Sequence, residues 1–407
     1  MRTIAVIGGG ASGMAAAITA KRENPSLNVV VFEHKDTPGK KILSTGNGRC
    51  NLTNEYMECS CFRSDTPAYI PEVLTQFGTN DTLQFFTELG LLTKSRNGYI
   101  YPRNDQASSV LELLKIKLRE LGIEVKCNLH VTDIAITKKG FRIFTKEANY
   151  LADKVILATG SKAASVLGSD GSGYSFAKKL GHQIVPVVPA LVQLKVNKHP
   201  FSKASGVRTD AKVSAFVDGR CVCEDTGELQ ITNYGISGIP VFQISRYIAR
   251  ALYEKKHAEV EIDFMPQLND DELNYLFTER ATVMKSLSVS EFLTGIFNQK
   301  LIPRLLELGK IKINAKVSEL TSSQIKNLAS ICKHTKLSII ETNGFENAQI
   351  CAGGVSLDEI SIYSMESKIN QGLYIVGELL DADGICGGYN LQWAWATGVI
   401  AGKHAAK

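Results

Sequence analysis

The chain has 407 residues, 44% of them hydrophobic and 21% charged, with a formal net charge of +5, an ordinary balance for a globular protein with room for more than one core. No apolar run reaches the length of a membrane helix, and the mild positive charge is too small to indicate nucleic acid by itself, although it would suit an anionic substrate. Nine scattered cysteines, paired closely only at Cys59/Cys61 and Cys221/Cys223, fit neither a disulfide framework nor zinc-ligand spacing, so no metal is expected.

The first element is a buried strand, Thr3-Ile-Ala-Val-Ile-Gly8, with no signal-peptide profile before it, so a cytoplasmic location is expected. An Ala-, Met- and Ile-rich helix follows from Ala11 to Lys21. Between them Gly8, Gly10 and Gly13 have the G-x-G-x-x-G spacing of a dinucleotide fingerprint. The first glycine allows the tight turn, the second lets a pyrophosphate approach the backbone, and the third allows close helix–strand packing. Phosphates would then sit on the free N–H groups of the helix N-terminus. A second strand, Asn28-Val-Val-Val-Phe32, ends in Glu33, placed to accept hydrogen bonds from a ribose. A carboxylate there disfavours a 2′-phosphate, leaving FAD or NAD.

Residues 34–54 are dense in glycine, asparagine and small polar residues and are expected to wrap a ligand with backbone N–H groups. Lys40, Lys41 and Arg49 would bring positive charge to phosphates or to the N1–C2=O edge of a flavin. Helices are expected at Val73–Phe77, at Thr82–Leu89 and from a Ser108/Ser109 cap to Leu121, with a strand end at Tyr99–Pro102. Further strands are expected at Ile123–Val131, Phe141–Thr145 and Lys154–Leu157. The last continues into Ala158-Thr159-Gly160, where small residues again suit close approach of a cofactor. Gly168–Gly173 resembles a second phosphate loop but follows no strand, so it is read as a turn into a helix at Tyr174–Leu180. No second Rossmann unit for a nicotinamide is expected.

From residue 190 to 263 apolar and polar positions alternate, as in antiparallel strands of a small barrel or sandwich. Lys195, Lys198, His199, Lys203, Arg208 and Lys212 crowd one part of it and could form an anion-recognising rim. Asn233–Pro240 is read as a loop facing a site, with Tyr234 in it, opening a helix at Val241–Tyr253. Asn269 to about Ser330 is helical, with Pro303 at a helix start, and residues 337–345 return to extended structure. Gly372–Gly377 is a strand, and Gly384–Asn390 is a ligand-shaped loop opening into a helix at Leu391–Lys403. That helix would aim its N-terminus at the flavin, with Trp393 and Trp395 in the core.

Three stretches resemble one family: Thr45-Gly-Asn-Gly-Arg-Cys-Asn-Leu-Thr-Asn54, Cys351-Ala-Gly-Gly-Val355, and Gly377-Glu-Leu-Leu-Asp-Ala-Asp-Gly384 with Gly387-Gly-Tyr-Asn-Leu-Gln-Trp-Ala-Trp-Ala-Thr-Gly398. The chain is similar to the BaiN/RdsA (YhiN-like) flavoproteins over essentially its full length. Residues 187–196 and 206–213 look closest to the bile-acid branch.

The resemblance implies an α/β fold in which a two-dinucleotide-binding, Rossmann-like FAD domain (1–187 and 346–407) is interrupted by a β-barrel domain (188–264 and 331–345). The barrel carries a small helical cap (265–330). It implies FAD held by Gly8, Gly10, Ala11, Ser12, Gly13, Glu33, Lys40, Lys41, Thr45, Gly46, Asn47, Gly48, Arg49, Cys50, Asn51 and Val131. Ala158, Thr159, Gly160, Gly377, Glu378, Asp381, Gly388, Asn390 and Leu391 complete the set.

The implied activity is an FAD-dependent ene-reductase acting on a steroid-like enone, such as a 3-oxo bile-acid diene, with NADH or NADPH as a reductant that visits and leaves. Candidate proton donors and polarising groups are Cys50, Tyr234 and Tyr389, with Arg49 placed to lower the Cys50 pKa. Cys351 and Cys386 are weaker candidates. The alternatives are a dihydrouridine synthase acting on ribosomal RNA, an aminoacetone-type amine oxidase and a non-catalytic flavin-bearing binding protein.

Overall fold

The computed structural model describes residues 2–407. The chain divides into two compact units, Met1–Val187 with Gln349–Lys407, and Val188–Ala348.

The first unit is built on a five-stranded sheet in the order Leu373–Ile375, Lys154–Leu157, Thr3–Ile7, Asn28–Phe32, Glu124–Lys126. Every neighbouring pair is parallel, with Ala5 opposite both Val155 and Val30 at the centre. Strands covered on both faces should be continuously apolar, and Ile4 to Ile7, Val29 to Phe32 and Val155 to Leu157 are all buried.

Helix Ala11–Glu23 leaves the central strand. Its packing partner is the final helix, Tyr389–Ala405, which is buried along most of its length. The two backbones touch: a Cβ on Gly398 would lie 2.4 Å from Ser12 O, and one on Gly402 2.4 Å from Ala16 O. Trp393 and Trp395 are core residues that donate their indole N–H groups to Gly377 O at 3.2 Å and Leu52 O at 3.2 Å. An antiparallel meander, Val131–Thr137, Gly140–Thr145 and Asn149–Ala152, completes the two-dinucleotide pattern.

Two local expectations are corrected here. The single strand Ile123–Val131 is in fact two: Glu124–Lys126 joins the parallel sheet, and the meander begins at Val131. Between them the chain turns across the end of the second strand, where Asn128 N–H donates to Lys35 O at 2.8 Å and Leu129 N–H to Glu33 O at 3.0 Å. The serine cap at residues 108–109 is also replaced. Helix Ala107–Glu120 has no side-chain cap, and Ala107 N–H donates to Gly48 O at 2.9 Å, so the glycine-rich loop itself closes the helix end.

The second unit is a closed six-stranded barrel in the order Leu194–Val196, Gly235–Gly238, Arg220–Ile231, Arg208–Val217, Ala258–Asp263, Thr335–Thr342. The ring closes where Leu194–Val196 pairs with Thr335–Thr342. Helices Asp270–Val283, Val289–Leu293, Ile302–Leu308 and Ser322–Lys333 occupy the interval before the last barrel strand. Three of them start at full capping boxes on Asn269, Ser288 and Thr321, and the fourth has Pro303 in its first turn, as expected. A buried ion pair, Lys333 Nζ to Asp263 Oδ2 at 2.7 Å, ties the last of these helices to a barrel strand.

Within the Asn233–Pro240 stretch, residues 235–238 form a barrel strand and not the expected loop. Its glycines serve strand contact: a Cβ on Gly235 would lie 2.0 Å from Leu194 O, and one on Gly238 2.2 Å from Glu228 O. Among the described residues, no helix is long and apolar enough to cross a membrane.

Candidate functional site

The site begins where the central strand runs out. Gly8 has a φ of +107°, and a Cβ on it would lie 2.4 Å from Ala158 O. A Cβ on Gly13 would lie 2.0 Å from Gly8 O. The fingerprint's first and third glycines are therefore required by backbone contact. Gly10 differs: it has no neighbour within 4 Å of an added Cβ. It caps the helix without a side-chain hydrogen bond, no acid occupies the first turn, and the first intrahelical bond is Met14 N–H to Gly10 O at 2.9 Å. The N–H groups of Ala11, Ser12 and Gly13 thus have no intrahelical acceptor at the positive end of the helix. This cradle fits a pyrophosphate.

Glu33 lies at the end of the adjacent strand. Its carboxylate accepts from Gly9 N–H at 2.9 Å and Lys35 N–H at 2.8 Å, which places it beside the cradle. Val131 is buried at the start of the meander, brought alongside Glu33 by the Leu129–Glu33 bond. Ala158 N–H donates to Ile7 O at 2.8 Å and carries Thr159 and Gly160 to the same sheet edge.

The Lys40–Asn51 segment departs from expectation. Lys40 pairs with Asp36 at 2.5 Å on the surface, whereas Lys41 turns inward to Glu378 Oε2 at 2.6 Å. Gly46, Asn47 and Gly48 are exposed and all left-handed, at φ +55°, +55° and +81°. The turn also uses its own donors: Gly48 N–H and Cys50 N–H go to Thr45 O at 3.1 and 2.9 Å, and Arg49 N–H to Gly46 O at 3.3 Å. These three amides are engaged within the loop and are not open to a ligand. The buried Asn51 Oδ1 has no hydrogen-bond partner, and a Cβ on Gly388 would lie 2.9 Å from it.

The lowered Cys50 pKa expected from Arg49 is corrected. Cys50 is fully buried, and desolvation pushes its thiol up to about 12, only partly offset by a hydrogen bond with Thr45. Arg49 does not activate it, since the guanidinium lies 5.9 Å from the centre of the Tyr101 ring. At pH 8 the thiolate fraction would be about one in ten thousand. Iodoacetamide should therefore leave Cys50 unmodified in the native protein while labelling the exposed Cys59 and Cys221. Peptide mapping reads this directly, and labelling of all three at equal rates would restore the thiolate.

The C-terminal segment supplies the second half. Glu378 accepts from Ser161 Oγ at 3.1 Å as well as from Lys41, and Tyr174 Oη reaches Glu378 O at 3.5 Å. Gly377 N–H donates to Thr397 Oγ1 at 2.9 Å. Asp381 is buried and accepts from Asp65 N–H at 2.8 Å and Ser64 Oγ at 3.2 Å, so it organises a loop. Asn390 clamps Gly384 with two bonds, N–H to Oδ1 at 2.8 Å and Nδ2 to carbonyl at 2.9 Å. What Asn390 can offer a ligand is its main-chain N–H, together with those of Tyr389 and Leu391, at a helix start that Gly388 caps without a side-chain bond. Tyr389 is buried edge-on against Phe62 at 5.7 Å, and burial followed by hydrogen bonding with Cys61 holds its phenol well above the ordinary tyrosine range. Tyr234 belongs to the barrel unit, where its hydroxyl accepts from Asn343 Nδ2 at 3.2 Å.

Two residues absent from the sequence-based set matter here. Ser161, the next residue after Ala158–Gly160, fixes Glu378 and also hydrogen-bonds the buried, upward-shifted Cys351 thiol. Gln392 is buried, accepts from Thr53 Oγ1 at 2.7 Å and Thr82 Oγ1 at 2.8 Å, and donates to Phe77 O at 2.9 Å. It ties the final helix to strand Thr53–Asn54, to helix Thr79–Glu88 and to the end of helix Tyr69–Gln76. Ser161 was within reach of a one-residue extension of the small-residue run, whereas the role of Gln392 needs partners distant in sequence.

A model described as the HI0933-like protein Rossmann domain matches residues 2–404. The chain is 55% identical to the 3-dehydro-bile acid delta(4,6)-reductase of Clostridium scindens over 407 residues, covering 100% of both chains. It is 27% identical to the ribosomal RNA dihydrouridine synthase of Escherichia coli over 393 residues, covering 96% of this chain and 95% of that one. Among solved structures, a variant of the E. coli quinol fumarate reductase FrdA superposes with a TM-score of 0.50 at 15% identity, covering 100% of this chain and 70% of that one. That likeness concerns the fold. Fold, glycine cradle and full-length match agree, and the chain belongs to the HI0933-like Rossmann family.

Proposed function

We propose that this protein is an FAD-dependent ene-reductase that saturates an activated C=C bond of a 3-oxo bile-acid diene. The observation that carries the reading is the unbroken 55% identity, end to end, to an enzyme named for that reaction. The cradle at Ala11–Gly13 and the acid at Glu33 support FAD as the dinucleotide. Bound FAD would supply the hydride acceptor and donor chemistry. NADH or NADPH is the proposed reductant.

The chain's own part is electrostatic and protic. The N-terminal amides of helix Tyr389–Ala405 offer positive potential to a developing anion. Lys41 and Glu378 form a polar anchor whose ammonium and carboxylate, 2.6 Å apart, can hold a ribityl chain. Tyr389 is the proposed proton donor to the enolate. Its raised pKa keeps the phenol protonated through neutral and alkaline pH.

Tyr389→Phe should slow reoxidation of the reduced protein by the enone about tenfold while leaving its reduction by nicotinamide unchanged. The wild-type reoxidation rate should show no fall between pH 7 and about pH 10, because the acid form persists there. An alkaline decline centred below that range would assign the proton to another group.

Pairing of three of the five lysine and arginine side chains of the barrel rim supports a small acceptor over RNA. Lys195, Arg208 and Lys212 are paired with Glu341, Glu228 and Glu224 at 2.8, 2.6 and 3.4 Å, and neutralised cations release few counterions from a phosphate backbone. The test is product analysis. FAD-loaded protein, NADH or NADPH and a 3-oxo-4,6-diene bile acid should give a steroid heavier by two hydrogens. Conversion of uridine to dihydrouridine in unmodified ribosomal RNA, with the steroid untouched, would overturn the assignment.

A further inference from the structure

Three side chains beside the dinucleotide cradle converge from three separate segments. His34 follows Glu33, His130 precedes Val131, and Asp170 lies in the turn that enters helix Ser172–Lys179. One ligand atom from each lies within 4.8 Å of the other two. The imidazole rings meet edge-on with centroids 5.6 Å apart.

The backbone holds these segments in register: Leu129 N–H to Glu33 O and Asn128 N–H to Lys35 O bind the His130 turn to the His34 turn. Asp170 is oriented by accepting from Ser172 N–H at 2.9 Å through Oδ1, and the Ser172 side chain also hydrogen-bonds its carboxylate. Behind His34, Glu33 Oε1 lies 3.5 Å from Nδ1. A carboxylate beside a histidine is the kind of neighbour found behind metal-ligating imidazoles.

We propose that His34, His130 and Asp170 bind a divalent transition metal ion of the zinc class. Two imidazoles and one carboxylate are borderline donors suited to such an ion, whereas calcium and magnesium prefer all-oxygen sets. The donors of a tetrahedral zinc site lie about 3.3 Å apart, closer than the limit seen here. His34 is half-buried and His130 and Asp170 are exposed, so rotamer changes alone can close the difference. The sequence hid this site because its members are far apart in the chain and match no ligand spacing.

The test uses full-length protein loaded with FAD, stripped with a chelator and dialysed against micromolar zinc chloride. Wild type should retain about one zinc ion per chain more than His34→Ala/His130→Ala. Asp170→Asn should weaken retention about tenfold, and cobalt(II) should give visible bands to the red of the flavin only when both histidines are present. Flavin content and thermal midpoint, equal in all variants, verify folding; should the alanine pair lose flavin, His34→Gln/His130→Gln takes its place. Equal zinc in wild type and the double variant, as exposed thiols at Cys59 and Cys221 would produce, overturns the proposal, as does no zinc in either.

Discussion

Gly10→Val should give a chain that folds and purifies without flavin. Gly10 is in extended backbone at φ −77° and ψ −167°, which valine adopts readily, and nothing lies within 4 Å of an added Cβ. The glycine makes no side-chain cap, so the apo-protein loses no hydrogen bond. Its melting temperature should fall by no more than a few degrees, in keeping with the modest cost of a poor N-cap residue. The space that the new methyl groups enter is the space at the amides of Ala11, Ser12 and Gly13. A pyrophosphate held there needs the backbone bare, and affinity should drop at least about a hundredfold, roughly 3 kcal/mol. Absorbance of the purified variant and its thermal melt decide the matter together. A yellow Gly10→Val protein would mean that the phosphates bind elsewhere.

The second large effect reverses an ordinary sign. Replacing a mid-helix glycine with alanine usually stabilises a helix by about 1 kcal/mol. Gly398→Ala should instead destabilise the protein by about 2–3 kcal/mol, the range of overpacked cores. The new Cβ would lie 2.4 Å from Ser12 O, a backbone atom that can yield only if helix Ala11–Glu23 moves. That helix is fixed at its start by Gly13 against Gly8 and buried from Ser12 to Ala20. Displacing it would also disturb the cradle, so flavin retention should fall with the melting temperature. Denaturant titration of the apo-protein separates the packing effect from the ligand's contribution. An unchanged or raised midpoint would show that the two helices are not in backbone contact.

The nucleotide end of the site was legible because its physics is local. Strand, glycines, helix, second strand and Glu33 follow one another within the first thirty-three residues, and each element appears within two residues of its expected bounds. The barrel was legible as alternation, but the Gly235–Gly238 strand was read as a ligand loop. Glycines that admit a ligand and glycines that admit a neighbouring strand look alike until the partner backbone is known. The same ambiguity affected residues 46–50, where the turn engages the amides of Gly48, Arg49 and Cys50 itself. Cys50 was misread for a different reason: sequence proximity to Arg49 says nothing about which side of the backbone each occupies. The thiol is buried and the guanidinium stacks outward on Tyr101. Burial and long-range partners, such as Gln392 with Thr53, Thr82 and Phe77, lie beyond what spacing can reveal.

The most direct measurement of the central claim is anaerobic stopped-flow absorbance on FAD-loaded protein reduced with NADH or NADPH. The reduced protein is mixed in separate runs with a 3-oxo-4,6-diene bile acid and with unmodified ribosomal RNA. Rapid return of the oxidised flavin band with the steroid alone is the predicted result. Reoxidation by the RNA alone, or by neither acceptor, would contradict it.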